Sequence, residues 1–203
     1  MTPFVPWTPP PATATGTAAW LRALAQGERH ALDALYRQEA PAVYRYVLAL
    51  AGDAAAAADA TQDAFVALAE RPGGFDAGLG SLGAYLAGIA RHALLAQWRR
   101  RGREAPWNEG DDEADDPRDA DADAASCPER RLVQQQTLQQ VWAALRALPW
   151  PQREAVVLVD LQGRAYAEAA RIAGCELNTL RTRVLRGRHR LADLLGAGTG
   201  ETS

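Results

Sequence analysis

The residues best equipped for chemistry lie between Asn178 and Leu191, where five arginines and no acid fall within one candidate helix. Guanidinium groups make bidentate contacts to guanine and also bind phosphate, and threonine hydroxyls hydrogen-bond to bases or backbone. The chemistry implied is therefore non-covalent reading of DNA. At ~100° per residue, Leu177, Leu180, Val184, Leu191 and Leu195 fall within about 40° of one line and form a packing stripe. Thr179, Thr182, Arg186, His189 and Arg190 point away from it. A short helix beginning near Ala165 precedes this one, and Gly174 supplies the permissive backbone of a tight interhelical turn. Asn178 is expected to cap the second helix by accepting from the N–H groups of Leu180 or Arg181. The whole stretch has the form of a helix-turn-helix.

Catalysis finds little support in the chain. No Ser/His/acid, phosphate-loop or metal-ligand spacing appears, and His30, His92 and His189 lie on separate predicted helices. Cys127 and Cys175 are far apart and outside any metal-ligand spacing. The expectation is a non-enzyme without metal or cofactor. The formal charge of −3 conceals a segregation: residues 104–129 hold eleven acids and one arginine, a net of −10, which leaves +7 for the remainder. All 22 basic residues are arginine, which together with abundant alanine reflects coding bias more than mechanism. No apolar run reaches the ~18 residues of a membrane span, and the N-terminus lacks the regions of a signal peptide, so a cytoplasmic protein without membrane insertion is expected.

These elements organise into an all-α fold of two helical domains joined by a flexible acidic linker. Residues 1–16 are proline-rich and read as a disordered tail. Residues 17–103 form a first helical domain, with breaks near Gly27, Gly52 and the stretch 72–80. Leu32, Leu35, Tyr36, Val43 and Val47 make one apolar series, Phe65 and Leu68 another, and a last helix of roughly Leu82 to Arg101 carries Leu86, Ile89, Ala90, Ala93 and Gln97 near one face. The acidic linker occupies 104–129, a second domain containing the helix-turn-helix occupies 130–196, and 197–203 is a C-terminal tail.

In the second domain, LPWPQREAVVLVDLQGRAYAEAARIAG followed by CELNTLRTRVLRGRHRL resembles region 4 of the sigma-70 family of bacterial transcription initiation factors. The landmarks are Leu148-Pro149, Arg153-Glu154, Asp160, Tyr166, Glu168, Ala170, Thr179, Arg183 and Arg186. In the first domain, ALDALYRQEAPAVYRYVLALAGD, DATQDAFVAL and SLGAYLAGIARHALLAQWRR resemble region 2, more divergently. Ala57-Ala58-Asp59 stands where the family carries an acidic cluster, Tyr85-Leu86 where it has Trp-Leu, and Ala90-Arg91-His92 where it has Ala-Arg-Asn. The likeness is to the small extracytoplasmic-function (ECF) group that keeps only these two regions, and it covers about 150 of the 203 residues.

The resemblance implies a specificity subunit that docks on core RNA polymerase, opens and reads the −10 element through region 2, and reads the −35 element through region 4. It assigns base reading at −35 to Arg181, Thr182, Leu185 and Arg186, with Thr179, Arg183 and Arg190 near phosphates. At −10 it implicates Tyr85, His92 and Arg99, which recur at seven-residue spacing, together with Arg100, and a base pocket in the loop Phe75 to Leu82. Core polymerase would be gripped through Asp59, Gln62, Asp63 and Phe65. The acidic linker is either a plain spacer or a strand mimicking nucleic acid in a polymerase channel. Replacement of family acids by Ala57 and Ala58 raises two further expectations: phosphorylation of Thr61 by a Ser/Thr kinase to restore the lost charge, or masking by a separate anti-sigma factor. The rival function is a regulator that binds operator DNA through the helix-turn-helix without polymerase.

Overall fold

The computed structural model describes residues 14–100 and 138–197, and among these every regular element is helical. The first module contains α1 (Ala14–Ala25), α2 (Arg29–Ala51), α3 (Ala54–Glu70) and α4 (Leu82–Arg100). Gly52 ends α2 with φ +66, a conformation that side chains disfavour, while its N–H bonds to the Leu48 carbonyl at 2.8 Å. Asp53 then caps α3, its carboxylate accepting from the Ala55 N–H at 2.9 Å. Ala56, Ala57, Ala60 and Ala64 give α3 a narrow buried face, which packs with Leu35, Val43, Val47, Leu86 and Leu94 into the core. Tyr36 departs from the apolar series: it is 47% exposed, with its ring 4.8 Å from that of Phe65.

The second module contains α5 (138–146), α6 (Trp150–Val156), α7 (Tyr166–Ala173) and α8 (Leu177–Ala197). α6 does not simply end. It widens into a π-helical turn, Val157–Leu161, closed by the Gln162 N–H on the Val157 carbonyl at 2.9 Å. Gly174 ends α7 with φ +63, as the turn requires. α8 starts two residues earlier than a cap at Asn178 would set it: the Glu176 carbonyl accepts from the Leu180 N–H at 2.9 Å, so Asn178 lies within the first turn. Its side chain accepts from the Arg181 guanidinium at 3.1 Å, a role different from the cap expected of it.

The acidic linker expected to be flexible lies outside the described residues, as do most of the two expected tails. What is described shows the modules docked on each other around one apolar cluster, where the sequence suggested two separate bodies. Trp98 of α4 meets Trp150 of α6 edge-on at 4.9 Å. Arg153 ties the ends of two helices together: its guanidinium donates to the carbonyls of Leu50 near the end of α2, of Arg146 at the end of α5 and of Leu148 just beyond it. These are the unsatisfied carbonyls and the negative pole of helix C-termini. Burial, with Arg146 nearby, pushes the Arg153 guanidinium down to about 10.

At Gly187, α8 lies close against α6. A Cβ there would lie 2.7 Å from Val156 Cγ2 and 3.1 Å from the Gln152 carbonyl, whereas one on Gly88 of α4 would meet nothing within 4 Å. Alanine is worth up to about 1 kcal/mol over glycine inside a helix, but overpacking against backbone outweighs that at residue 187. Gly187→Ala is expected to destabilise the protein by on the order of 1 kcal/mol and Gly88→Ala to stabilise it by about 0.5–1 kcal/mol. Urea unfolding midpoints moving in opposite directions would bear this out.

Candidate nucleic-acid interface

The arginine-bearing face of α8 is held from behind. Leu180 and Val184 are buried against α6 and α7, and Gly187 lets α8 lie almost in contact with α6. From the side, Arg188 clamps the helix to the π turn, its guanidinium donating to both carboxylate oxygens of Asp160 in a bidentate pair of 3.0 and 2.5 Å. The hydrogen bond and charge of Asp160 hold the Arg188 guanidinium well above its ordinary range.

Of the seven −35 candidates, Thr179, Arg181, Thr182, Leu185, Arg186 and Arg190 are exposed. Leu185, 56% exposed on an otherwise well-packed helix, offers an apolar surface of the kind that meets a thymine methyl. Thr182 is partly committed, its hydroxyl donating to the Asn178 carbonyl at 3.0 Å. Arg183 is the exception: it is half-buried beside the Cys175 thiol, whose pKa burial pushes up.

In the first module, Tyr85 is half-buried against Phe75 at 5.7 Å, and His92 is exposed two turns further along the same face of α4. Both line a cleft of about 330 Å³ together with Gly74, Phe75 and Ile89. The cleft also borders the loop Phe75 to Leu82, where the resemblance implied a base pocket. Arg99 and Arg100 are exposed at the end of α4, and Arg100 turns towards a polar groove formed with Asp59, Gln62, Asp63 and Gln97. The acidic groups assigned to polymerase binding are thus accessible. Phe65 is not: it is 4% exposed and supports that face from beneath. Thr61 is 2% exposed, and its hydroxyl donates to the Ala57 carbonyl at 2.7 Å, so no kinase reaches it while α3 is packed.

A polar cluster that periodicity did not single out lies between the modules. Glu154 of α6 is fully buried, and its carboxylate accepts from Arg91 at 2.6 and 3.3 Å and from the Tyr46 hydroxyl at 2.8 Å. Burial alone would depress the Arg91 guanidinium, but the charge and hydrogen bond of Glu154 outweigh it and hold its pKa up. Burial, reinforced by Glu154, pushes the Tyr46 hydroxyl well above its usual value. At the rim, the Glu168 carboxylate accepts from the Ser81 hydroxyl at 2.6 Å and from Arg164 at 3.2 Å, while Gln162 donates to the Ala42 carbonyl at 2.9 Å.

Residues 35–104 match the family model described as Sigma-70 region 2, and residues 138–191 match Sigma-70, region 4. The chain is 33% identical to the ECF RNA polymerase sigma factor SigE of Mycolicibacterium smegmatis, covering 97% of this chain and 74% of that protein. It is 34% identical to the ECF RNA polymerase sigma factor SigM of Mycobacterium tuberculosis, covering 88% and 84%. Among solved structures it is similar to the sigma factor RpoE in complex with the anti-sigma factor NepR from Bartonella quintana. That likeness has a TM-score of 0.64 and 30% identity, and it covers 81% of this chain and 96% of that one.

Burial alone would raise the pKa of Glu168, yet the hydrogen bond from Ser81 and the charge of Arg164 more than offset it, so the carboxyl sits below its ordinary value of 4.5. Such a group contributes stability that is complete above the unfolded value and is lost as pH falls through the folded one. The rim should therefore be intact at neutral pH and weaken only below about pH 4.5. Ser81→Ala is expected to raise the Glu168 midpoint, read from its carboxyl carbon by NMR. An unmoved midpoint would show that the two modules do not meet there.

Proposed function

The chain belongs to the sigma-70 family, within its ECF group, and on that premise we propose which of its residues serve each step of initiation. As a sigma factor it binds core RNA polymerase and directs promoter recognition, DNA opening and the start of transcription; sigma factors are initiation factors, not catalysts. No described helix is long and apolar enough to cross a membrane, and the place of action is that of the polymerase, the cytoplasm.

The observation that carries the assignment at −35 is the exposed face of α8. Arg181, Thr182, Leu185 and Arg186 project from a helix whose rear is fixed by Leu180, Val184 and Gly187. A rigid helix bearing arginines is what a major groove admits. Thr179 and Arg190 flank this set and contact phosphates. Arg183, being half-buried, positions the turn through Cys175 more than it meets DNA. In the first module Tyr85 and His92 receive an unstacked base of the −10 element, and Arg99 attracts the opened strand. Asp59, Gln62 and Asp63 present the negative face to core polymerase, with Phe65 as its support. The operator-binding alternative leaves the region 2 module without a use.

The burial of Thr61 gives the phosphorylation expectation no support, and a masking protein is the reading carried forward. The likeness to the Bartonella sigma factor reaches across both modules, which favours an anti-sigma partner that grips the two together.

The test is transcription in vitro with purified core polymerase on a fragment library. Arg186→Ala is expected to lower use of the selected promoters by roughly 10- to 100-fold, the discrimination of one bidentate base contact, and to relax the −35 sequence recovered. Tyr85→Ala should leave −35 selection alone and reduce open complexes detected by permanganate reactivity. Selection unchanged by Arg186→Ala would remove α8 as the −35 reader.

A further inference from the structure

Leu185 is out of place on the outer face of α8. At ~100° per residue, the line that packs inward runs through Leu180, Val184, Gly187 and Leu191, and the opposite side carries Asn178, Thr182, Leu185, Arg186 and His189, each within about 50° of its centre. Leu185 alone of these is apolar, and it is 56% exposed, with no place in the apolar cluster that joins the modules. A single leucine on an ordinary surface needs no explanation. One near the middle of a face that enters a major groove does, because covering it with ring nitrogens, carbonyl oxygens or amino groups strips their water and returns no hydrogen bond.

The shape of this face brings Leu185 towards the groove floor. Short side chains occupy its middle, while the longer Arg181 and Arg190 stand about 90° off on either side. Its polar neighbours are also turned away from Leu185. The Arg181 guanidinium donates to Asn178 Oδ1 at 3.1 Å, and the Thr182 hydroxyl donates to the Asn178 carbonyl at 3.0 Å. Both side chains are thus drawn back towards the first turn of α8, and neither folds over Leu185, which lies one turn further on. The base edges in a major groove offer one apolar group, the C5-methyl of a pyrimidine. Thymine always carries it, and cytosine carries it when methylated.

From this arrangement we infer that Leu185 is the receptor for one pyrimidine C5-methyl group in the −35 element, supplied by thymine or by 5-methylcytosine. The inference rests on the assignment of α8 to that element and deepens it by naming the base edge. Arg181 and Arg186 are suited to the O6 and N7 of guanine, which hydrogen bonds recognise; the pyrimidine is recognised by packing. A cytosine at this position makes promoter use depend on its methylation.

The test uses holoenzyme assembled from the full chain and core polymerase, on the promoter it selects from the fragment library. Each thymine of the −35 element, on either strand, is replaced singly by deoxyuridine, and each cytosine by 5-methylcytosine. Every modified duplex then competes with its unmodified parent for transcription. One position is expected to respond, loss of the methyl lowering promoter use or its gain raising it by about fourfold, the effect of one methyl group buried against apolar surface. A response to deoxyuridine identifies thymine as the occupant, and a response to 5-methylcytosine identifies methylated cytosine. Holoenzyme carrying Leu185→Ala or Leu185→Gln should use parent and modified duplexes equally, whereas Leu185→Met, which keeps an apolar surface, should retain the preference. Leu185 is exposed, so these substitutions leave the packing of α8 intact. A preference at no position, or one that persists in both Leu185→Ala and Leu185→Gln, would overturn the methyl receptor, with α8 still the −35 reader if Arg186→Ala lowers selection. Selection unchanged by Arg186→Ala would remove α8 from that role, and the receptor with it.

Discussion

The arrangement depends on one buried carboxylate. Glu154 has no exposure, and it is tolerated because Arg91 and Tyr46 from the other module satisfy its oxygens. An ion pair of this kind contributes little net stability compared with apolar residues of the same size, because desolvating both charges offsets most of their attraction. Removing one partner leaves a charge stranded. Its consequence is therefore registry. Apolar surfaces such as Trp98 against Trp150 slide at little cost, but a carboxylate that must meet a guanidinium and a phenol fixes one docking geometry. That geometry sets α7 over the cleft and α8 facing outward.

The same economy of contacts positions α8. Two small features decide where its arginines point: the absent side chain of Gly187, which brings α8 onto α6, and the bidentate pair of Arg188 with Asp160, which fixes its rotation. Asp160 can do this because the π turn at Val157–Leu161 inserts an extra residue and swings the end of α6 beneath α8. The five arginines of the helix therefore have different work. Arg188 is a structural clamp and Arg183 a half-buried neighbour of Cys175, which leaves Arg181, Arg186 and Arg190 on the exposed side.

What could be read from the sequence follows from how far each signal reaches along the chain. The stripe of Leu177, Leu180, Val184 and Leu191, the Gly174 turn and the breaks at Gly52 and 72–80 are local, and they reappear in the fold. The start of α8 is displaced because Asn178 looks like a cap wherever it stands, whereas the Glu176 carbonyl begins the helix two positions earlier. The run VVLVDL carries no mark separating a π turn from an α-helix. Thr61 reads as a surface residue beside acids, and the resemblance sets Phe65 on the polymerase face although periodicity puts it in an apolar series; α3 is so rich in alanine that its buried face extends to both. Resemblance located the modules, but neither resemblance nor periodicity revealed that they touch. Glu154 meets Arg91 across 63 positions and Tyr46 across 108, and no pattern within one helix encodes such a pair.

Polar residues inside apolar helices were nevertheless the one available hint. Arg91 sits between Ala90 and Leu94 on the buried side of α4, and Glu154 precedes the apolar run Ala155–Leu158. A lone charge in either place would be costly, so each demands a partner of opposite sign, and with one buried cation in the first module and one buried anion in the second among the described residues there are few ways to satisfy both. The interface follows from that demand.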